Sequence, residues 1–523
     1  MTNTTAVKFG KIRSMLWPIH NSELKKFIPM LIIYALIVFN YSILKATKDT
    51  LVMTAKASGA GTIPFIKFWI LFPMALLVTF FYTKIANKYR REQIFYIMMS
   101  LFVGFFALFA FVLYPLEDYI HPHGLADLLQ SYLPSGAQGF IAMLRNWSFT
   151  LFYVMSELWG TTIMSVLFWG FANEVTNVSD AKRYYAILGV GANLATVFAG
   201  FAIEFLSSKT LSIPFYQGDN WGQSLSLISG VIVVSGLVSM VLFRYVNKSF
   251  YAHELKMNPT RVEPEKVRMG MRKNFAYLAR SKYLVCIAII VLAYNISLNL
   301  IEVVWKDQLL LQFPNPTDLN AFNGKVFMWI GALSTILSLT LTGNVTRIFG
   351  WTVSALVTPV ILLVTGALFF LCHYFRESQF LLQFSYLIGT TPLMLIVLIG
   401  SMQNVFSRAC KFTFFDTTKE IAFVPLSPES KLKGKAAIDG VASRLGKSGS
   451  GVIHQSLILA LGSVAMSTPF VGVFLGLFFF AWIAAVRSLG KQFDELSHPT
   501  NPTKEPVNVH ADEPQSKETL VQV

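Results

Sequence analysis

Long apolar runs, each closed by polar or basic residues, divide the chain at about 27–48, 63–83, 94–114, 148–171, 186–206, 225–246, 283–303, 326–346, 351–373, 381–405, 449–466 and 469–487. A helix rises ~1.5 Å per residue and the hydrocarbon layer of a bilayer is ~30 Å thick, so a run of about 18 or more apolar residues crosses it. The pattern predicts an all-α, multi-pass membrane protein with twelve transmembrane helices. The first and eleventh runs are the least regular: Lys45, Lys48 and Asp49 crowd the end of one, and His454 and Gln455 interrupt the other. The first also follows Lys8, Lys11, Arg13, Lys25 and Lys26, as the apolar part of a secretory signal would. No small-residue cleavage site ends it, so it reads as a retained helix.

Composition agrees. Hydrophobic residues make up 54% of the 523 residues and charged ones 14%, against roughly 25% in soluble domains, with a mean hydropathy of +0.54. Too few polar side chains remain to cover a soluble core of this length, and the abundance of apolar residues excludes a disordered or collagen-like chain. Cys286, Cys372 and Cys410 have no metal-ligand spacing, so neither a disulfide framework nor a zinc site is expected, and no cofactor is implied.

The net charge of +15 needs no nucleic-acid partner. Cytoplasmic loops of membrane proteins carry an excess of Lys and Arg. With the N-terminus inside, the loop bearing Lys84, Lys88, Arg90 and Arg91, the pair Lys182-Arg183, the stretch Lys248–Lys282, Arg347, the run Arg408–Lys435, and Arg487 with Lys491 all fall on that side. Glu117-Asp118 and the stretch 212–224 fall on the other. Both termini are therefore expected in the cytoplasm, and the tail, rich in Pro, Asn, Glu and Lys from about 496, reads as disordered.

Six runs precede the polar 247–282 connector and six follow it. KRYYAILGVGANL at Lys182–Leu194 matches KGKAAIDGVASRL at Lys433–Leu445 at several positions in register, and Thr47-Lys48-Asp49 and Trp305-Lys306-Asp307 follow the first and seventh runs at a similar offset. These are the marks of parallel repeats, and they predict a major-facilitator-like fold. The expected layout is a cytoplasmic N-terminus at 1–26, six-helix halves at 27–246 and 283–487, the linker between them, and a tail at 488–523. Substrate in such folds binds near the midplane between the halves.

A charge at the centre of a membrane helix costs about 2.5–3.5 kcal/mol on insertion scales, so it should face a wet cavity or a partner. Four places stand out. Lys48 either snorkels or lines a cavity, Asp49 is placed to neutralise it, and Lys45 shares its face one turn earlier. Glu157 has apolar neighbours for two turns on either side and must be protonated, paired or hydrated. Glu302 has Lys306 four residues on, the spacing of a local helix pair. Lys447, in Gly446-Lys-Ser448, fails the phosphate-loop pattern because Gly440 and Gly446 enclose five residues where the motif has four. It reads instead as the start of a thin, close-packing helix with Lys447 and Arg444 directed at an anion such as a polyphosphate. His121-Pro-His123 reads as a surface loop rather than a metal site, His454 as a hydrogen-bonded helix histidine ahead of a proton relay, and Tyr153, Trp159 and Trp169 as packing aromatics before base-stacking ones.

The chain resembles the nucleotide transporter family, the ATP/ADP translocases of plastids and of obligate intracellular bacteria such as chlamydiae and rickettsiae. The resemblance runs up to the tail and is carried by Phe39-Asn-Tyr41, Thr47-Lys-Asp49, Ile63-Pro-Phe-Ile-Lys-Phe68, Arg145-Asn-Trp147, Glu157-Leu-Trp-Gly160, Phe168-Trp-Gly-Phe-Ala-Asn-Glu174, Asn299-Leu-Ile-Glu-Val303, Phe415-Asp-Thr-Thr-Lys-Glu420, Gly434-Lys-Ala-Ala-Ile-Asp439 and Arg444-Leu-Gly-Lys-Ser-Gly449. It implies exchange of cytosolic ADP for host ATP without hydrolysis, across a bacterial inner membrane and most like the chlamydial exchangers. Lys48, Glu157, Glu302 and Lys447 fall at the family's functional charged positions. The resulting expectation is a phosphate site of Lys48, Lys447, Arg444, Lys45 and Lys306, gated by Glu157, Glu302 and Asp49, with no catalytic or metal residues. Partners would be ATP, ADP, phosphate and the bilayer, and one chain the working unit. Within the same fold, a proton-coupled or broader ribonucleotide transporter is the rival reading.

Overall fold

Glycine spacing decides how the halves of the bundle meet. The computed structural model describes residues 13, 17–21, 23–176, 178–207, 219–251, 281–341 and 344–497. Eleven helices there are long and apolar enough to span a bilayer: α1 Leu24–Met53, α2 Thr62–Ala86, α3 Glu92–Leu113, α4 Trp147–Asn173, α5 Arg183–Leu206, α6 Asn220–Ser249, α7 Lys282–Gln312, α8 Pro316–Thr340, α9 Ile348–Tyr374, α10 Pro392–Ala422 and, last in the chain, α12 Val464–Leu496. The expected eleventh span is also a helix, α11 Ser443–Leu461, but it is not among these, because Arg444, Lys447, His454, Gln455 and several Gly and Ser residues dilute its apolar face.

Three boundaries differ from the hydropathy pattern. The run 381–405 is broken near Gly389, which has φ 71°, a left-handed conformation suited to glycine. Residues Gln379–Leu387 form a separate short helix, and α10 starts at Pro392 and continues to Ala422. Helix α8 starts at Pro316, capped by Asn315, rather than at 326. The last helix runs to Ser497, so the first part of the expected tail at 488–523 is helical. Residues 498–523, 252–280 of the connector, 212–218 and most of 1–26 lie outside the described residues.

Burial sorts the spans. Within the most apolar window of each, α1, α4, α7 and α10 are 56, 67, 67 and 56% buried, while the other spans are 22–39% buried. The first and fourth helices of each half are therefore the most internal. The halves pack together most extensively along α5 and α8. A Cβ on Gly324 would lie 2.8 Å from the Glu204 amide nitrogen and the Gly200 carbonyl oxygen, and one on Gly331 would lie 2.6 Å from the Asn193 carbonyl oxygen. Such small residues let membrane helices approach backbone to backbone. Replacing Gly324 by Leu is expected to destabilise the protein by about 1–3 kcal/mol through overpacking. Gly189→Ala, on the same α5 but facing open space, should have little effect. Melting of the two purified variants in detergent compares them.

At one end of the bundle the halves also touch through short elements. A Cβ on Gly136, in the segment between α3 and α4, would meet the Ile458 and Leu459 carbonyl oxygens at 2.5 and 2.6 Å, and one on Gly61 would meet Val464 at 3.2 Å. Thr50 donates to Asn320, and Asn320 to Ser207, across the same end. This end is closed.

Candidate functional site

Lys48 and Asp49 lie in the last part of α1, as far beyond its start at Leu24 as Lys306 and Asp307 lie beyond the start of α7 at Lys282. Because α1 and α7 are both internal, these matched charges meet. Lys48 Nζ is 3.1 Å from Glu157 of α4 and 2.7 Å from Asp49. Lys306 Nζ is 2.8 Å from Asp49 and 3.0 Å from Glu302, and Arg408 of α10 is 3.1 Å from Glu302. The result is a ladder of alternating sign, Glu157, Lys48, Asp49, Lys306, Glu302, Arg408, that crosses from one half to the other at the Asp49–Lys306 pair. Lys48, Asp49, Glu302 and Lys306 are all buried. Unpaired, each of these charges would carry a desolvation penalty of several kcal/mol, and the alternation offsets it.

A second set of cations has no carboxylate of its own. Lys67, on α2, donates to the neutral Asn299 side chain of α7 at 2.6 Å. Lys45 lies 5.7 Å from the centre of the Tyr41 ring. Lys447 and Arg444 are exposed near the start of α11. Among the described residues none of Lys45, Lys67 and Lys447 forms an ion pair, yet Glu157 is within electrostatic reach of all three as well as of Lys48. Gathered around Glu157, with Lys447 exposed to solvent, they outline a charged chamber. Its lining carries more positive than negative charge, which suits a multiply charged anion.

Local backbone geometry helps to aim these groups. Lys67 lies within a π-helical stretch at Ile66–Leu71, another at Gly160–Phe168 follows Glu157, a third at Lys411–Phe415 follows Arg408, and a fourth at Ile438–Ala442 precedes Arg444 and Lys447. Widened turns of this kind rotate the side chains around them and recur at functional sites. Tyr153 places its ring 3.8 Å from Lys48 Nζ, a cation–π contact. The Tyr41 ring lies so close to α4 that a Cβ on Gly160 would be 2.6 Å from its Cε2 atom. Gly160→Ala is therefore expected to push Tyr41 towards Lys45 and lower the maximal transport rate at least tenfold, a loss of about 1.4 kcal/mol; Gly160→Ala combined with Tyr41→Leu, which has no ring to displace, should recover part of it.

The structure brings together Lys45, Lys48, Asp49, Glu157, Glu302, Lys306 and Lys447, and leaves Arg444 solvent-exposed at the chamber's edge. Sequence reasoning missed two members. Arg408 was expected in a cytoplasmic loop, but α10 continues through it and seats it on Glu302. Lys67 was not singled out as a site residue, although it stands four residues after the start of a run and within a motif that carries the family resemblance. His454 also departs from expectation. It is 1% exposed, and among the described residues neither ring nitrogen has a hydrogen-bond partner. His121 is not a surface residue: it is buried, 2.8 Å from Ser148 Oγ and edge-on to Phe149. Burial, and then His123, push its pKa down to about 4. Trp159 packs at 0% exposure with its indole nitrogen donating to the Ile37 carbonyl. Among the described residues no cluster of His, Cys, Asp and Glu could hold a metal ion.

Fold and site together define a multi-pass membrane transporter whose halves enclose a cationic chamber. In fold the chain is similar to the inward-facing structure of a bacterial homologue of the iron transporter ferroportin, with a TM-score of 0.50 at 16% identity, covering 91% of this chain and 98% of that one. The match supports the major-facilitator-type architecture. Sequence comparison is more specific. The model of the TLC ATP/ADP transporter family matches residues 2–493. ADP,ATP carrier protein 1 of Chlamydia trachomatis is 46% identical over 496 residues, 94% of this chain and 93% of that protein. The chloroplastic ADP,ATP carrier protein 1 of Arabidopsis thaliana is 42% identical over 479 residues, 91% and 75% of the two chains. The chain belongs to the TLC ATP/ADP transporter family.

Proposed function

We propose that this protein is an ATP/ADP antiporter that takes up ATP in exchange for ADP across a bacterial inner membrane, as a single chain with both termini in the cytoplasm and without hydrolysing the nucleotide. The observation that carries this reading is the surplus of cations in the chamber. Lys45, Lys67 and Lys447, which have no ion-pair partner among the described residues, with Arg444 at the edge, meet the polyphosphate first. Lys48 and Lys306 are then drawn from Glu157 and Glu302 to the phosphates, and Asp49–Lys306, the link between the halves, is free to open. In this reading the closed end faces outwards and the accessible end faces the cytoplasm.

Charge balance adds a third substrate. ATP carries about four negative charges and ADP about three, so one-for-one uptake of ATP into a negative interior works against ~2.3 kcal/mol per 100 mV for the extra charge. Phosphate leaving with ADP offsets this, and its export is part of the proposal. Proteoliposomes loaded with ADP and labelled phosphate, given ATP outside, should lose the phosphate as ATP enters; phosphate retained throughout ATP uptake contradicts that part. The unpartnered His454 favours one rival, a proton-coupled transporter of the same fold. Empty vesicles given labelled ATP under a pH gradient should then accumulate it, whereas an antiporter accumulates it only in vesicles preloaded with ADP.

A further inference from the structure

Between α1, α3 and α6 the lipid-facing surface is hollowed into a groove of about 820 Å³. Its walls are apolar, from Leu36, Phe111, Leu227, Val231, Val234 and Val238, and Gly230 on its floor has no atom within 4 Å of where a Cβ would stand. Val234 and Val238 are exposed in the middle part of α6 and Phe111 near the end of α3, so the groove opens sideways onto hydrocarbon. Its volume lies within the ~300–1,000 Å³ that accommodates a small-molecule ligand.

Carboxylates lie just beyond one end of the groove. Pro115 lines it, and Glu117 and Asp118 follow immediately in the chain; Asp219 caps α6, whose Ser226 lines the same end. Burial, then Asp118, then Asp219 push the Glu117 pKa up to about 7, so these carboxylates crowd one another. Among the described residues no Lys or Arg pairs with any of the three. A carboxylate cluster at the level where lipid headgroups lie, left without a protein cation, is complementary to an ammonium group. The floor is tied to α1, which carries Lys48 and Asp49: Ser235 donates to the Asn40 side chain of α1 at 2.5 Å, and Asn40 to the Ile232 carbonyl.

We propose that this groove is a binding site for phosphatidylethanolamine, with one acyl chain lying between α1, α3 and α6 and the ammonium group against Glu117, Asp118 and Asp219. The lipid belongs to the leaflet on the side of the segment joining α3 to α4. It fills the space beside the contact of α1 with α6.

Native mass spectrometry of the detergent-purified protein, equilibrated with vesicles of equal phosphatidylethanolamine and phosphatidylglycerol, tests the site. One retained phospholipid is expected, with phosphatidylethanolamine favoured by about fivefold, the ratio that one net surface ion pair supplies. The double variant Glu117→Gln, Asp118→Asn should keep a lipid but lose the headgroup preference. Gly230→Phe, whose ring has room to enter the groove, should lose the tightly held lipid while retaining the melting temperature of the lipid-free protein. The carboxylate variant leaves the groove intact and decides the matter if the phenylalanine variant fails to assemble. No lipid on the wild-type protein, phosphatidylglycerol held equally well, a second copy of the chain in place of lipid, or an unchanged headgroup preference in the carboxylate variant would each overturn the proposal.

Discussion

Lys67→Ala is expected to weaken nucleotide transport by roughly 10- to 150-fold in apparent KM, the value of one charge-assisted phosphate contact at 1.5–3 kcal/mol. Its effect on folding should be small. Among the described residues Lys67 bonds only the neutral Asn299 side chain, which itself also donates to the Asn295 carbonyl. Removing the lysine therefore leaves no carboxylate buried without a partner. Lys67→Arg keeps the charge but changes a point cation into a planar fork, and is expected to recover only part of the affinity. Lys88→Ala, at the exposed turn between α2 and α3, provides the reference for a lysine outside the chamber. Initial rates of labelled ATP uptake into ADP-loaded proteoliposomes across a concentration series separate KM from maximal rate. Equal, small effects of Lys67→Ala and Lys88→Ala would remove the polyphosphate role assigned to the unpaired cations.

Lys306→Met should behave in the opposite way, costing about 3–5 kcal/mol of stability because a buried pair is broken and Asp49 is left with Lys48 alone while Glu302 keeps only Arg408. The alternation of the ladder makes a sharper forecast about the pair. Asp49→Asn together with Lys306→Met removes one charge of each sign from the middle, leaving Glu157 with Lys48 and Glu302 with Arg408. The double variant is therefore expected to recover more than half of the stability lost by Lys306→Met, a non-additivity of about 2 kcal/mol. Transport should not recover with it, since the link between the halves is gone. Thermal melting in detergent measures the first effect and uptake into proteoliposomes the second. A double variant as unstable as the sum of its single changes would show that the ladder is not one coupled network.

Hydropathy along the chain already determines that this is a multi-pass helical membrane protein, because the thickness of the hydrocarbon layer sets a minimum length of apolar helix that any reader can count. Intramembrane charge was equally legible: Lys48, Glu157, Glu302 and Lys306 stand out against apolar neighbours whatever the fold. The repeated Lys-Asp after the first and seventh runs even hinted at which helices correspond. Partners were another matter. Lys48 has Asp49 beside it in sequence, yet Asp49 also binds Lys306, 257 positions further along the chain, and Glu302 binds both its helix neighbour Lys306 and the remote Arg408. Arg408 was misplaced because the loop-charge rule reads any cluster of Lys and Arg near the end of an apolar run as cytoplasmic, and cannot tell a lysine-rich loop from a polar helix seated in the chamber. Nor does any local pattern distinguish Lys67, free of carboxylates, from Lys306, held by two. Hydrophobic length is a property of each segment, and so the sequence alone determined the spans and most of the charged positions. Whether a charge is neutralised depends on what lies within a few ångströms in other helices, and that only the tertiary structure decided.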